Sequence, residues 1–348
     1  MINIDGAYGE GGGQILRSAM TLAALTVSPI TVEKIRQGRK KPGLQPQHLT
    51  GVRAVAQICQ GKLKGDELFS DTLTLEPGEI LPGSYEFDVA KATPSAGSVG
   101  MILQQLLPIL IYGKENSYIT IKGGTDVAWA PPIEFIQRVF LPSLSKMGVS
   151  VNLEIQEWGF FPIGGGSIKA TLSSLTAPLK PLQITERGDL KTLNGWAAAA
   201  NLPQSVLDRE IKQAQKMLEE IKLGGLAKLE SQITPSKSTG NIFFLCAEYE
   251  NCWAGFSVLG ELGKPAEKVV AETMEQFQQF HQGTYAMEKH LADQLLVYLA
   301  LAQGRSEITV QEVTPHLKTN IWVIEQLLPV KFEIKENSIS VEGIGKAS

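Results

Sequence analysis

The segment FIQRVFLPSLSKMGVSVNLEIQEWGFFPIGGGSIKATL, residues 135–172, carries the pattern from which we predict the fold. A helix-like stretch leads through a short turn into a pair of strands. The same order recurs at residues 52–75 and 321–341, although few residues are identical among the three segments. Because a supersecondary pattern that recurs in one order indicates repeated units, the sequence predicts three copies of a βαβ-containing unit in an α/β protein.

Residues 182–282 break this pattern and are more polar than their surroundings. We predict that they form a smaller inserted α/β domain, and that residues 1–181 and 283–348 form the main catalytic domain of three repeats. The alternative is a continuation of the main domain with long loops. The elements predicted inside the insert are an amphipathic helix at 206–222, a Gly224-Gly225 break, strands near 241–248 and 253–258, and a polar helix at 265–280.

The composition is that of an ordered enzyme. The chain has 348 residues, of which 43% are hydrophobic, so it can bury a sizeable core. Charged residues make up 20% and glycine occurs 34 times, which favours an α/β enzyme over a disordered or fibrous protein. The formal net charge of −4 argues against a general nucleic-acid binder, so any contact with nucleic acid requires a local basic patch.

Cysteine usage and hydropathy predict a cytoplasmic location. The three cysteines form no CxxC pair, which makes a disulfide framework or a thiolate zinc site a poor interpretation. The N-terminus has no basic region followed by an apolar one, so no secretory signal is predicted. The longest apolar runs are far shorter than a bilayer-spanning helix requires.

A glycine-rich turn, GEGGGQ at residues 9–14, lies between a short predicted strand and an apolar helix. Glycines allow close backbone approach to a ligand, and the start of the helix attracts anions. The spacing matches neither the Rossmann nor the P-loop fingerprint. Glu10 would repel an anion unless a divalent cation lay between them, so the turn predicts a metal-assisted phosphate site. The alternative is a tight turn with a solvated glutamate.

A basic cluster follows, in which Arg36, Arg39, Lys40 and Lys41 fall within six residues. Arg17 is placed on the preceding helix. Guanidinium groups bind phosphate oxygens in a bidentate manner, so this loop is a candidate phosphate or RNA-end site. A solvated loop is the alternative.

One of the four histidines has a position that suggests chemistry. His316 follows a predicted strand at residues 307–313 and precedes a helix that we expect to be capped near Thr319. Open α/β sheets place their active residues at such strand ends. A neutral imidazole there can attack phosphorus and form a covalent nucleotidyl intermediate. We assign no role to His281.

A polar trio lies on an otherwise apolar helix. His290, Asp293 and Gln294 have i, i+3 and i+4 spacing, which places them on one helix face. They could form a pocket wall, in which the aspartate binds ribose hydroxyls and the glutamine a base edge. An exposed helix face is the alternative.

Seven distinctive segments follow one another along the chain: GAYGEGGGQILRS, IRQGRKKPGLQPQHLTGVRA, SAGSVGMILQQLLP, GGTDVAWAPPIEF, WGFFPIGGGSI, HLADQLLVYLALAQG and HLKTN. In this order they resemble the RNA 3′-terminal phosphate cyclase family. The resemblance extends from the N-terminus to the last fifty residues and is weakest in the predicted insert.

The resemblance implies three repeated βαβαββ units, related to enolpyruvyl transferases, with a smaller inserted α/β domain. It also implies a nucleotidyl-transferring, ligase-type enzyme of RNA processing. Such an enzyme uses ATP and a divalent cation, Mg²⁺ or Mn²⁺, to convert an RNA 3′-phosphate end to a 2′,3′-cyclic phosphate. The implied intermediates are a covalent histidine-AMP and an RNA-pp-A end.

The family's functional positions can be assigned to this chain one by one. The resemblance implies that His316 is the nucleophile and that Glu10 binds the metal. The residues implied to bind the phosphate or RNA end are Arg17, Arg36, Arg39 and Gln47. Those implied to bind ATP or AMP are Gln104, Pro131, Phe135, His290, Asp293 and Gln294.

The chain departs from the family pattern at three places. His290 stands where the family usually has a tyrosine that stacks on adenine, and Trp158 replaces a basic residue. The nucleophile motif reads PHLKTN, with His316 and Asn320 retained. Two other functions remain open: a non-catalytic cyclase-like ribosome-assembly protein, which would lack the nucleophile, and an enolpyruvyl transferase, which would leave HLADQ and PHLKTN unexplained.

Overall fold

Four mixed sheets of four strands each, with helices packed on them, make up the computed structural model, which describes residues 1–347. The mixed α/β class predicted from the sequence is confirmed. Within these residues, no helix has the length and the apolar composition needed to cross a membrane.

The first sheet has the strand order β1-β2-β4-β3. β1 and β2 are parallel, and β4 is antiparallel to both of its neighbours. Its elements are β1 Ile2–Asp5, α1 Gly13–Thr26, β2 Ile30–Glu33, α2 Pro46–Ile58, β3 Lys62–Lys64 and β4 Leu73–Glu76.

The second sheet has the order β5-β6-β8-β7, with β5 and β6 parallel and β8 antiparallel to its neighbours. The helix predicted near residue 132 is divided by a π-helical turn. Pro142 has no N–H to donate to Arg138 O, and that carbonyl accepts from Cys246 Sγ at 3.7 Å instead. The elements are β5 Ser84–Asp88, α3 Val99–Leu110, β6 Ser117–Gly123, α4 Ile133–Phe135, the π-helix Ile136–Phe140, α5 Leu141–Ser145, β7 Val151–Glu157 and β8 Gly166–Leu172.

A small sheet with the order β11-β10-β12-β13 lies within the predicted insert. Strands β10 and β11 are not among the strands predicted from the sequence. Between β9 Gln183–Ile184 and the end of this region, the elements are β10 Leu190–Ala200, α6 Gln204–Glu220, β11 Ala227–Ile233, β12 Gly240–Tyr249, β13 Trp253–Leu259 and α7 Ala266–Gln282.

The remaining sheet has the order β15-β16-β14-β9. β9 falls inside the region predicted as the insert, residues 182–282, and pairs in parallel with β14 of this sheet. A strand of two residues is too short to show alternation in the sequence. The other elements are α8 Lys289–Leu301, β14 Gln303–Thr309, α9 Pro315–Leu327, β15 Phe332–Lys335 and β16 Ser338–Ile344.

The central helices are nearly apolar all round. In α1, every residue from Ile15 to Leu25 except Arg17 is buried, as expected for a helix enclosed by other elements. α1 packs against α2, α3 and α9, and α8 packs against α3 and α9. This packing brings together polar residues from the beginnings of several helices.

Candidate active site

His316 lies in the first turn of α9. The cap predicted near Thr319 is wrong, because the helix begins at Pro315 and is capped by Thr314. The Oγ1 of Thr314 accepts a hydrogen bond from Leu317 N at 3.1 Å. A threonine cap followed by proline is a helix start that the sequence already contained. Helical geometry therefore places the His316 side chain on the face that also carries residue 320.

The imidazole of His316 is held by Asp293 from α8. Its Nδ1 lies 2.8 Å from Asp293 Oδ2. The His316 side chain is 36% exposed and that of Asp293 is 10% exposed, so the imidazole reaches the protein surface while the Asp293 carboxylate is mostly buried. Asp293 is thus not on an exposed helix face. A proton on Nδ1 donated to this carboxylate leaves the Nε2 lone pair available for reaction.

The protonation of His316 reflects opposing effects. Burial lowers its pKa, but the hydrogen bond that His316 donates to Asp293 and the charge of that carboxylate together outweigh burial, so the pKa lies above its ordinary value. Among the more distant charges, Arg17 lowers the pKa and Glu10 raises it. The imidazole thus shares an electrostatic environment with residues from the glycine-rich turn and α1.

A hydrogen-bond network connects Asp293 to α1. Asn320 Nδ2 donates to Asp293 Oδ1 at 3.1 Å, and Asn320 Oδ1 accepts from Ser18 Oγ at 2.6 Å. Ser18 Oγ accepts in turn from Gln14 Nε2 at 2.9 Å, and Arg17 Nη2 donates to Gln14 Oε1. Ser18 and Gln14 were not predicted as site residues, although their i, i+4 spacing places them on one face of α1.

The glycine-rich turn packs directly against α9. Gly9 has a φ of +54°, and a Cβ there would collide with Thr319 Oγ1. Glu10 N donates to the same oxygen at 3.5 Å. Gly12, the N-cap of α1, gives the helix no side-chain cap within the described residues. The first N–H groups of α1 can therefore bind an anion.

Glu10 offers one carboxylate for a cation. Its Oε2 lies 3.6 Å from Arg39 Nη2, and both side chains are partly exposed. Residues 1–347 contain no group of three or more histidine, cysteine or acidic side chains that could enclose a metal. Mg²⁺ commonly binds through one or two carboxylates together with substrate phosphates, and this donor set fits that type of site.

The predicted basic residues have different roles in the structure. Arg36 has a φ of +56°, and its Nη1 donates to Lys41 O at 2.5 Å and to Gly43 O at 3.1 Å, so it holds the loop in shape. Burial, followed by the nearby charge of Arg39, lowers the pKa of Arg36. Burial likewise lowers the pKa of Arg17 to about 10, with Arg36 adding to the effect and Asp293 opposing it. Closely spaced cations of this kind favour an anionic ligand.

His48 is a site residue that the sequence analysis missed. A Cβ on Gly13 would collide with its Nε2, and its Nδ1 is buried with no hydrogen-bond partner in residues 1–347. Burial, and then the charges of Arg36 and Arg17, lower its pKa to about 3. His48 is therefore neutral between two arginines. Its proximity to the predicted Gln47 was the only signal in the sequence.

Gln47, Gln104 and Gln294 join neighbouring helices. Gln47 Oε1 accepts from Ser98 N at 2.7 Å, which ties α2 to the start of α3. Gln104 Nε2 on α3 donates to Gln294 Oε1 on α8, so two residues predicted to bind nucleotide are in contact. His290, one turn before Gln294, is exposed.

Pro131 and Phe135 lie farther along the second sheet. Pro131 is half-buried, and its carbonyl oxygen would be 3.5 Å from a Cβ on Gly100 of α3. Phe135 is 4% exposed and packs toward Gly255 of β13, in the core. None of the hydrogen bonds or ion pairs within residues 1–347 joins either residue to His316.

Comparisons with known proteins identify the family. The model of the family RNA 3′-terminal phosphate cyclase matches residues 8–334. The protein of that name from Gloeothece citriformis is 42% identical to this chain, and the match covers 94% of this chain and 93% of that protein. The protein of that name from Nostoc punctiforme is also 42% identical, and the match covers 99% of both chains. The protein of that name from Pyrobaculum aerophilum is 39% identical over 99% of both chains. The chain therefore belongs to the RNA 3′-terminal phosphate cyclase family.

Proposed function

We propose that this protein uses ATP to convert the 3′-phosphate end of RNA to a 2′,3′-cyclic phosphate, with His316 as the nucleophile. The observation that carries the proposal is the 2.8 Å contact between His316 Nδ1 and Asp293 Oδ2. It fixes the ring and leaves Nε2 as the reactive nitrogen, in the manner of other histidine–carboxylate pairs in catalysis.

In the first step, neutral His316 attacks the α-phosphorus of ATP through Nε2. A nitrogen–phosphorus bond forms, the bond to the β-phosphate oxygen breaks, and pyrophosphate leaves. The ring becomes positively charged as the bond forms, and the Asp293 carboxylate stabilises that charge at Nδ1. The histidine-AMP is thus supported by the same contact that orients the nucleophile.

In the second step, an oxygen of the RNA 3′-phosphate attacks the phosphorus of AMP, and the bond to His316 breaks, giving RNA-pp-A. In the third, the adjacent ribose 2′-hydroxyl gives its proton to solvent and attacks the 3′-phosphorus; the bond from that phosphorus to the oxygen that bridges to AMP breaks, and AMP leaves. The 2′-oxygen is already held beside that phosphorus, so the step is intramolecular and favoured by proximity.

Cations of the chain support the binding of these anions. We assign phosphate and RNA-end binding to Arg17, Arg36, Arg39 and Gln47, and nucleotide binding to Gln104, Pro131, Phe135, His290, Asp293 and Gln294. The uncapped start of α1 supports this assignment, because its N–H groups attract phosphate oxygens.

Glu10 would hold the divalent cation, Mg²⁺ or Mn²⁺. Such a cation offsets negative charge on the triphosphate when bound. A cation at Glu10 would weaken the ion pair with Arg39 by charge repulsion, which would favour a contact between Arg39 and phosphate.

The repeated architecture is also a proposal. The first, second and last sheets have the same strand order and directions, with one parallel pair followed by antiparallel partners. We infer that they are copies of one βαβαββ unit, related to that of enolpyruvyl transferases, and that the segment after β9 is the inserted α/β domain. The three free cysteines support a cytoplasmic location.

The test is covalent labelling with ATP labelled at the α-phosphate, in the presence of Mg²⁺, followed by peptide mapping. We expect a stable adduct on His316 in the wild-type protein and none in His316→Ala. His281→Gln, which alters a histidine with no assigned role, serves as the matched control. If the wild-type protein binds RNA but carries no label, the non-catalytic function is supported and the proposed mechanism is wrong.

A further inference from the structure

Two large aromatic side chains project into solvent from neighbouring loops. Trp129 is 96% exposed and Phe161 is 74% exposed, although both are among the most apolar side chains of the protein. Ile163, in the same loop as Phe161, is 52% exposed. Isolated exposed apolar residues are ordinary, but adjacent exposed aromatic residues indicate a binding surface.

The backbone holds these two loops side by side. Thr125 N donates to Gly159 O at 2.9 Å, and Asp126 forms a parallel bridge with Phe160. Phe160 is 2% exposed and anchors its loop in the protein, so the next residue, Phe161, is directed outward. The backbone therefore places the two loops next to each other.

The loop that contains Trp129 is fixed in shape. The buried side chain of Asp126 accepts from Ile133 N through Oδ1 at 3.2 Å, which closes the loop that contains Trp129. Trp129 has a φ of +66°, an unfavourable conformation for a bulky residue. Backbone strain at an exposed side chain has no explanation in packing, and such strain tends to occur where a side chain has to be presented to a ligand.

The Phe161 loop packs against the segment that leads into α3. A Cβ on Gly164 would lie 2.9 Å from the Cα of Ala96, in the loop that leads into α3. Ser98, two residues later, is held by the proposed RNA-end residue Gln47 at 2.7 Å. Lys237, an exposed cation of the inserted region, places its side chain against Gly165 in the Phe161 loop.

We propose that Trp129 and Phe161 form a stacking platform for the bases that precede the 3′-terminal nucleotide of the RNA substrate. Single-stranded RNA is bound by aromatic rings that stack on its bases together with cations that contact its backbone, and Lys237 supplies such a cation here. This inference rests on the proposed function and adds a binding site for the body of the RNA. Stacking is tolerant of sequence, so the platform selects for unpaired bases.

The experiment compares Trp129→Ala with the wild-type protein on RNA oligonucleotides that end in a 3′-phosphate. We expect the KM for a ten-nucleotide RNA to rise between about 5-fold and about 160-fold, the range that one lost base stack produces, with kcat unchanged. Trp129→Phe should recover most of the affinity, because a ring remains. Tyr118→Ala is the matched control, since Tyr118 is 51% exposed at the opposite end of β6.

A second measurement excludes a general structural effect. The penalty of Trp129→Ala should disappear on an RNA whose nucleotides upstream of the last one are abasic, because no bases remain to stack. An equal penalty on abasic RNA, or an unchanged KM on normal RNA, would overturn the platform. So would a loss of self-association in Trp129→Ala without any change in RNA binding. ATP labelling of His316 needs no RNA, so its absence would instead refute the proposed function.

Discussion

Replacement of Asp293 by asparagine removes the charge that His316 contacts while preserving the size of the side chain. A hydrogen bond to a charged group contributes roughly 1.5–3 kcal/mol. The His316 side chain is 36% exposed, and solvent screening favours the lower value. About 1.5 kcal/mol corresponds to roughly a tenfold slower adenylation.

The loss can be larger if the new amide donates to Nδ1, because the ring proton then moves to Nε2 and blocks the nucleophile. The same exchange in the histidine–aspartate pair of a serine protease costs roughly 10⁴-fold in kcat, which sets an upper bound. We therefore expect Asp293→Asn to reduce the rate of adenylation of His316 between about 10-fold and about 10⁴-fold.

The pH dependence distinguishes this role from a structural one. In the wild-type protein the Asp293 hydrogen bond raises the pKa of His316 against the effect of burial, so adenylation should increase with pH as the imidazole loses its proton. Without the carboxylate the pKa falls, and the acidic limb of the pH–rate profile should move to lower pH. Single-turnover adenylation between pH 5 and pH 9 measures both quantities. A slower variant whose acidic limb has not moved would refute the reasoning.

Three further changes test the surroundings of this pair. Glu10→Gln should raise the Mg²⁺ concentration for half-maximal adenylation roughly tenfold, measured by metal titration, because one charged ligand is lost. Ser18→Ala leaves the buried Oδ1 of Asn320 without its donor, and urea unfolding should show a loss of about 1–3 kcal/mol. Gly43→Ala places a methyl group against the carbonyl of Phe69 at a φ of +72°, so the free energy of unfolding should fall by more than about 1 kcal/mol. An unchanged metal requirement or unchanged stability would contradict the corresponding assignment.

The local sequence already contained the start of α9, but our prediction placed the helix cap five residues too late, near Thr319 instead of at Thr314. Thr314 followed by Pro315 is a helix-start signal, whereas Thr319 has helical neighbours on both sides. This difference in the helix start affects the predicted site. The side chain of His316 has a fixed direction in the first turn of a helix, which it would not have in a loop. β9, with two residues, lacks the length at which alternation becomes visible.

The sequence alone was enough to predict the mixed α/β class, the family and the polar residues that could form a site. Periodicity and short motifs are local properties of the chain, so they can be recognised without a structure. Which of those residues meet was decided only by the tertiary structure. Asp293 and His316 belong to different helices, and Ser18 is 302 positions from Asn320. Burial and distance depend on how α1, α2, α8 and α9 pack, and those quantities set the direction in which the pKa values of His316 and His48 shift.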